Sequence, residues 1–199
     1  MTRQSAREDG FTLVEMMVVT ALVGILTGVA VVQVTATRNM VKGDSAMRTV
    51  LANMNQAQMM AIQQRRYVRV QFDTTVHRIS IVREETTGTT TTLGTAMFES
   101  GAQLTLTSGL PDTPDAFGNT AATSFYNPVN GTFASLVNTT QVVKFAPDGT
   151  LVDWNGNLTN GTVFTAIPNQ GPSARAVTVL GSTGRIRGYR WDGAHWVKV

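Results

Sequence analysis

No proline occurs before Pro111. From Phe11 to about Arg66 the chain therefore permits one uninterrupted helix, and that span constrains the fold more than any other feature. At about 1.5 Å per residue such a helix is about 80 Å long. Its first part, to Val34, is apolar nearly all round and matches the roughly 20 residues that a bilayer crossing needs. Its second part is amphipathic. Met47, Val50, Leu51, Met54, Ala57, Ala61 and Ile62 recur at three- and four-residue spacing, while Arg48, Asn53, Asn55, Gln56 and Gln63 fall mostly elsewhere. That stripe is expected to pack on a sheet.

One acid, Glu15, interrupts the apolar part. A carboxylate in a bilayer costs roughly 2.5–3.5 kcal/mol at a helix centre and less near an end, so it asks for a partner. A free amine is the natural one. A cut after Gly10 would create it, because Phe11 would then carry a new positive N-terminus one helical turn from Glu15, or facing it on a neighbouring copy. Two other uses of the segment stay open. A secretory signal would place cleavage after Val34-Thr35-Ala36, which satisfies the small-residue rule but fits poorly with Glu8 and Asp9 before the apolar region and Glu15 inside it; the other is a plain signal anchor.

The contiguous run Gly10-Phe11-Thr12-Leu13-Val14-Glu15-Met16-Met17-Val18-Val19 resembles the type III signal of bacterial type IV pilins and type II secretion pseudopilins. That signal is a short hydrophilic leader ending in Gly, then Phe, with Glu at the fifth mature position. The resemblance implies a prepilin peptidase that cuts between Gly10 and Phe11 and N-methylates Phe11, and an assembly role for Glu15. It implies a single-pass inner-membrane precursor with a periplasmic C-terminal domain, and a filament that is periplasmic or extracellular. The implied partners are other pilin or pseudopilin subunits and an inner-membrane assembly platform. One departure stands out: many members carry a proline at the twenty-second mature position, which is Val32 here, so any melting of the helix on assembly would fall at Gly24 or Gly28. Thr20, Gly24 and Gly28 also form a small-residue ladder of the kind that lets membrane helices approach, although Gly is frequent in such helices in any case.

Beyond the helix the sequence alternates. Tyr67 to Asp73 and Arg78 to Arg83 read as strands closed by a hairpin at Asp73 to His77, followed by a low-complexity Thr/Gly loop over Thr86 to Thr92. Further strands are expected at Thr92–Glu99, Ala102–Thr107, Gln141–Ala146, Thr162–Ile167, Arg175–Leu180 and Arg185–Trp191, with Ser108 to Thr140 loop-dominated. The expected class is α+β and pilin-like: a long N-terminal helix, membrane-spanning then amphipathic, packed on a C-terminal antiparallel sheet domain. The expected divisions are a leader at 1–10, a membrane and assembly half at 11–34, an amphipathic half at 35–66 and one β-rich globular domain at 67–199. Three segments also look like the H-type pseudopilin and FimT-like minor pilin branch. They are Asn55 to Ile62, Val143 to Gly149, and the hairpin from Arg175 to Val179 and Gly184 to Arg187.

Composition excludes more than it assigns. With no cysteine there is neither disulfide nor thiolate metal site, and His77 and His195 are the only histidines. No phosphate loop or Gly-x-Ser-x-Gly elbow occurs, so an enzyme is not expected, nor a cofactor. Asp153, Asn155 and Asn157 occupy positions 1, 3 and 5 of a calcium loop, but Leu158 stands where Gly is needed and Phe164 where Glu is needed, which favours an Asn/Gly turn over a metal. Pro147-Asp148-Gly149 reads as a tight turn. Charge is uneven. Residues 38 to 83 hold eight Lys/Arg against two acids, residues 84 to 153 one against seven, and residues 174 to 199 five against one. Such asymmetry suits an anionic partner, or head-to-side matching of subunits.

Gly184-Arg185-Ile186-Arg187 gives the sharpest surface hypothesis. Strand alternation puts Arg185, Arg187 and Tyr189 on one face with Ile186 inward. Guanidinium groups contact phosphates and Tyr stacks on bases, so the patch suits DNA without sequence preference. Some FimT-like minor pilins use a similar C-terminal Gly-Arg-x-Arg segment on DNA during natural transformation. The competing use is a basic edge strand that blocks sheet-to-sheet aggregation.

Overall fold

The computed structural model describes residues 11–86, 88–98, 101–127, 131–135 and 142–199. The leader and Gly10 lie outside the described residues. A single helix, α1, runs over Leu13–Gln64. Thr12 caps it, its Oγ1 accepting the Glu15 backbone N–H at 3.2 Å. At the other end Arg65 takes a left-handed backbone with φ 50, and Arg66 N–H returns to the Ala61 carbonyl at 3.2 Å, the six-to-one closure of a Schellman end.

The chain divides into two compact units, residues 1–38 and 39–199. In the first, Leu13–Ala30 is long and apolar enough to cross a membrane, with mean hydropathy 2.1 and no residue buried. Thr20 and Thr27 return their hydroxyls to helix carbonyls at Met16, Met17 and Val23, so neither leaves an unpaired donor in an apolar setting.

The second unit holds two antiparallel sheets rather than one. Sheet A has the order β3-β2-β1-β7-β8, from β1 (Val68–Asp73), β2 (Arg78–Glu84), β3 (Thr90–Met97), β7 (Val143–Phe145) and β8 (Leu151–Val152). Sheet B has the order β12-β11-β10-β9-β5-β6, with β4 also on β9. Its members are β4 (Gln103–Leu104), β5 (Thr123–Asn127), β6 (Thr132–Ala134), β9 (Gly161–Ala166), β10 (Arg175–Leu180), β11 (Arg185–Trp191) and β12 (Trp196–Lys198). The expected strands at 67–73, 78–83, 162–167, 175–180 and 185–191 are found within a residue of their bounds. The strand expected at Ala102–Thr107 shrinks to two residues. Four strands were not expected, β5, β6, β8 and β12, and two of them lie inside the stretch read as loop. The strand expected at Thr92–Glu99 starts earlier, because Thr90 and Thr91 pair with Glu84 and Arg83.

The main core lies where the helix stripe meets both sheets. Met47, Val50, Met54, Ala57 and Ala61 are buried against Val68, Val70, Phe72, Ile79 and Ile81 of sheet A and Phe125, Val163, Val177 and Val179 of sheet B. Of the expected stripe, Leu51 is partly buried and Ile62 stays about half exposed, over the Gly149 turn. A second core covers the opposite face of sheet B: Phe164, Ala176, Tyr189 and Trp196 under Leu106, Leu110 and Trp191. The segment from Thr105 to Ala122, almost without regular structure, is thus a strap that seals this face. Trp196 Nε1 donates to the Pro111 carbonyl at 2.8 Å, and Asp112 accepts the Gly118 N–H at 2.8 Å.

Candidate functional site

At the N-terminal end Phe11 is exposed, and Glu15 occupies the first turn of α1. Thr12-Leu13-Val14-Glu15 has the spacing of a capping box, a motif that the sequence reading passed over. Only one half of the box forms: Thr12 accepts from Glu15 N–H, and the Glu15 carboxylate holds no partner among the described residues. Every other described side-chain carboxylate does. Asp44, Asp73, Glu84, Glu85 and Asp112 accept side-chain or backbone donors, as do Asp115, Asp148, Asp153 and Asp192. Among the described residues, the acids of the middle of the chain all accept internal donors, Asp148 while staying exposed. Gly24 and Gly28 face open space, and the side chain of Val32 lies outside the described residues.

At the C-terminal hairpin the structure brings Arg185, Arg187 and Tyr189 to one face, with Ile186 packed on the main core. The opposite face carries Gly188, where an added Cβ would lie 3.1 Å from Leu51 and Met47 of the helix. The β10–β11 register is unbroken, Gly188 opposing Val177, so Arg190 falls on the face away from Arg187.

Tyr189 differs from its expected use. It is only 3% exposed, and its hydroxyl donates to Asp115 Oδ2 at 2.9 Å. A ring sealed in this way is not open to stack on a base. Asp115, from the strap, gathers the whole cluster: Thr178 Oγ1 donates at 2.6 Å, Arg187 Nη1 at 2.9 Å, and Arg185 Nη2 lies at 3.9 Å. Burial works to raise the Asp115 carboxyl, but the hydrogen bonds from Thr178 and Tyr189 and the Arg187 charge outweigh it and hold it below the ordinary carboxylate range. Burial pushes the Tyr189 phenol up, and Asp115 adds to that. Arg185 keeps its side chain 46% exposed. The edge-strand alternative also needs amending. β12 covers β11 over Tyr189–Trp191, and only Arg185 to Arg187 lies beyond it.

The calcium-loop residues form a turn. Asp153 is buried, its Oδ1 accepting Asn155 and Asn157 N–H and its Oδ2 facing the Asn157 amide. Among the described residues no group of three or more His, Cys, Asp or Glu is placed to hold a metal.

Two positions that sequence reasoning missed fasten the helix to the β domain. Arg175 has a side chain with 0% exposure. Its Nε donates to Asp44 Oδ1 at 2.6 Å, Nη1 to the Pro172 and Ala174 carbonyls at 2.9 and 2.8 Å, and Nη2 to the Met40 carbonyl at 3.2 Å. Beside it Gly43 brings the helix so close to the Ser173 carbonyl that any Cβ would overlap it. The signal was visible: Arg175 is the one charge in the six-residue strand Arg-Ala-Val-Thr-Val-Leu. Farther along, Gln58 Nε2 donates to the Gly149 carbonyl at 2.9 Å and the Gly184 carbonyl at 3.1 Å. It thus ties the β7–β8 turn of sheet A to the β10–β11 turn of sheet B.

The model of the prokaryotic N-terminal methylation motif matches residues 5–31, a span that contains Gly10, Phe11 and Glu15. A comparison with curated proteins finds no match. Among solved structures, two of the minor pseudopilin EpsH from the type 2 secretion system of Vibrio cholerae are similar to this chain. Each is 10% identical with a TM-score of 0.47, covering 75% of this chain and 97% or 94% of EpsH.

Proposed function

We propose that this chain is a minor pilin or pseudopilin subunit, matured between Gly10 and Phe11 and carried into a type IV filament by its N-terminal helix. The role is structural rather than catalytic. One observation carries it: Glu15 is the single described side-chain carboxylate without a partner, and it sits in a wholly exposed, membrane-length helix inside a matched N-terminal methylation motif. Cleavage after Gly10 supplies the missing cation. Pairing Glu15 with the Phe11 amine of an adjoining subunit neutralises two charges in a low-dielectric setting, where one alone is strongly penalised.

This reading places the precursor in the bacterial inner membrane with residues 39–199 on the periplasmic side. Other subunits, a prepilin peptidase and an inner-membrane assembly platform are its partners. The test has two parts. Intact mass and N-terminal sequencing of the membrane-extracted protein should show a chain beginning at methylated Phe11. Glu15→Ala should leave that processing intact and abolish incorporation into filaments, and normal incorporation would refute the role of the acid. A DNA-receptor role is not favoured: Tyr189 is buried and Arg187 is bound to Asp115, which leaves Arg185 as the one half-open side chain of the three.

A further inference from the structure

Sheet A ends on an unusual edge. β3 is eight residues long, whereas β8, β6 and β12 at the other sheet ends have two or three. Thr90 to Met97 contains no charged residue and no proline, and among the described residues no strand lies along its outer side. Natural sheets usually protect a long edge with charge, proline, brevity or a bulge, because its unpaired N–H and C=O groups are a template for another strand. Of these β3 has only a bulge.

The register against β2 adds a geometric condition. Thr92 opposes Val82 and Gly94 opposes Ile81, so Leu93 is an extra residue at a bulge. Leu93 packs on the main core. The alternation therefore places Thr90, Thr92, Thr95 and Met97 on the outer face, and Thr91, Leu93, Gly94 and Ala96 on the core side. This order reads the same in both directions about the Leu93–Gly94 bond. Two copies of the strand laid antiparallel over their full length match faces in one register only: Thr90 with Met97, Thr91 with Ala96, Thr92 with Thr95 and Leu93 with Gly94. That register sets the bulky Leu93 against a glycine and brings Thr92 and Thr95 together as a favourable cross-strand pair, with no charge on either side to repel.

We propose that β3 is a self-pairing edge through which a second copy of this chain joins sheet A, antiparallel about a two-fold axis at the Leu93–Gly94 bond. Such an isologous contact fuses two five-stranded sheets into one of ten. It needs neither cleavage at Gly10 nor the Glu15 ion pair, so it stands or falls separately from filament assembly.

The native chain has no cysteine, which makes cross-linking clean. The full-length Thr92→Cys/Thr95→Cys variant, oxidised mildly in its membrane and run on a non-reducing gel, should give a band at twice the chain mass. Its yield should exceed that of either single variant by about tenfold, since directly opposed strand positions meet the Cα spacing of a disulfide and positions three residues out of register do not. Co-expressed Thr92→Cys and Thr95→Cys chains with different tags should give the mixed dimer. Equal cross-linking by the single variants, or no band at all, overturns the proposal, and a cross-linked band of another mass assigns the edge to a different partner and overturns it too. As a second measurement, the full-length chain in detergent should run as a two-chain particle and Thr92→Lys/Thr95→Lys as a single chain. Identical masses for the two would also sink it.

Discussion

Removing the carboxylate of Asp115 should loosen the strap from sheet B, and the loss is large enough to measure. In Asp115→Ala, Thr178 Oγ1 and Tyr189 Oη lose their acceptor, and both residues are at most 3% exposed. Each stranded buried polar group costs about 1–3 kcal/mol. Arg187 is partly exposed, so water replaces much of what it loses. The expected destabilisation is therefore about 2–6 kcal/mol, or a melting temperature lower by about 10 °C at roughly 2–4 °C per kcal/mol for a unit of this size. The assay is urea unfolding of the full-length chain in detergent, followed by tryptophan fluorescence. Trp196 reports directly, because its indole is bonded to the strap at Pro111. A loss below about 0.5 kcal/mol, the range of an ordinary surface substitution, would refute the assignment of Asp115 as the fastening of the strap. The pH dependence gives an independent check. The folded-state pKa of Asp115 is lowered, so its contribution is complete above the unfolded value near 3.9 and is lost as pH falls through the folded one. The stability gap between wild type and Asp115→Ala should be full at neutral pH and narrow as pH falls below about 4 through the folded value.

Arg175→Lys should cost about 3–5 kcal/mol in the same unfolding assay despite retaining the charge, because an ammonium cannot reach Asp44 and three carbonyls from one buried position; wild-type stability would show that charge alone suffices. Gly184→Ala should lose about 3 kcal/mol, since a Cβ there overlaps the Gln58 amide and the Gly149 carbonyl on a backbone with φ +62. The control Gly156→Ala, with φ +89 but open space around it, should lose only about 1–2 kcal/mol; equal urea midpoints for the two would argue against the Gln58 junction.

What could be read in advance followed from periodicity. The helix stripe repeats every three or four residues and the long strands alternate, so their burial was legible at Met47, Val50 and Met54 and at Val68, Val70 and Phe72. The strap was not, because Ser108 to Thr140 has no repeating pattern and its anchoring is made by isolated residues. Asp115 meets partners 63, 72 and 74 positions away, a relation that no local window contains. This is also why Arg185, Arg187 and Tyr189 could be placed on one face while the burial of Tyr189 was not foreseen: alternation fixes direction, not what covers it. Arg175 was seen as a strand residue but not as a pin, although a lone guanidinium in an apolar strand requires a buried partner. The three segments that resemble the H-type and FimT-like branch prove to be neighbours in space. The helix end, the Gly149 turn and the Gly184 turn meet at Gln58.

The two fastenings on α1 have a mechanical consequence. Arg175 grips the helix at Met40 and Asp44, and Gln58, about four turns later, grips one turn from each sheet. Tension along the helix axis within residues 39–64 therefore enters sheet B at Arg175 and both sheets at Gln58, not through one strand alone.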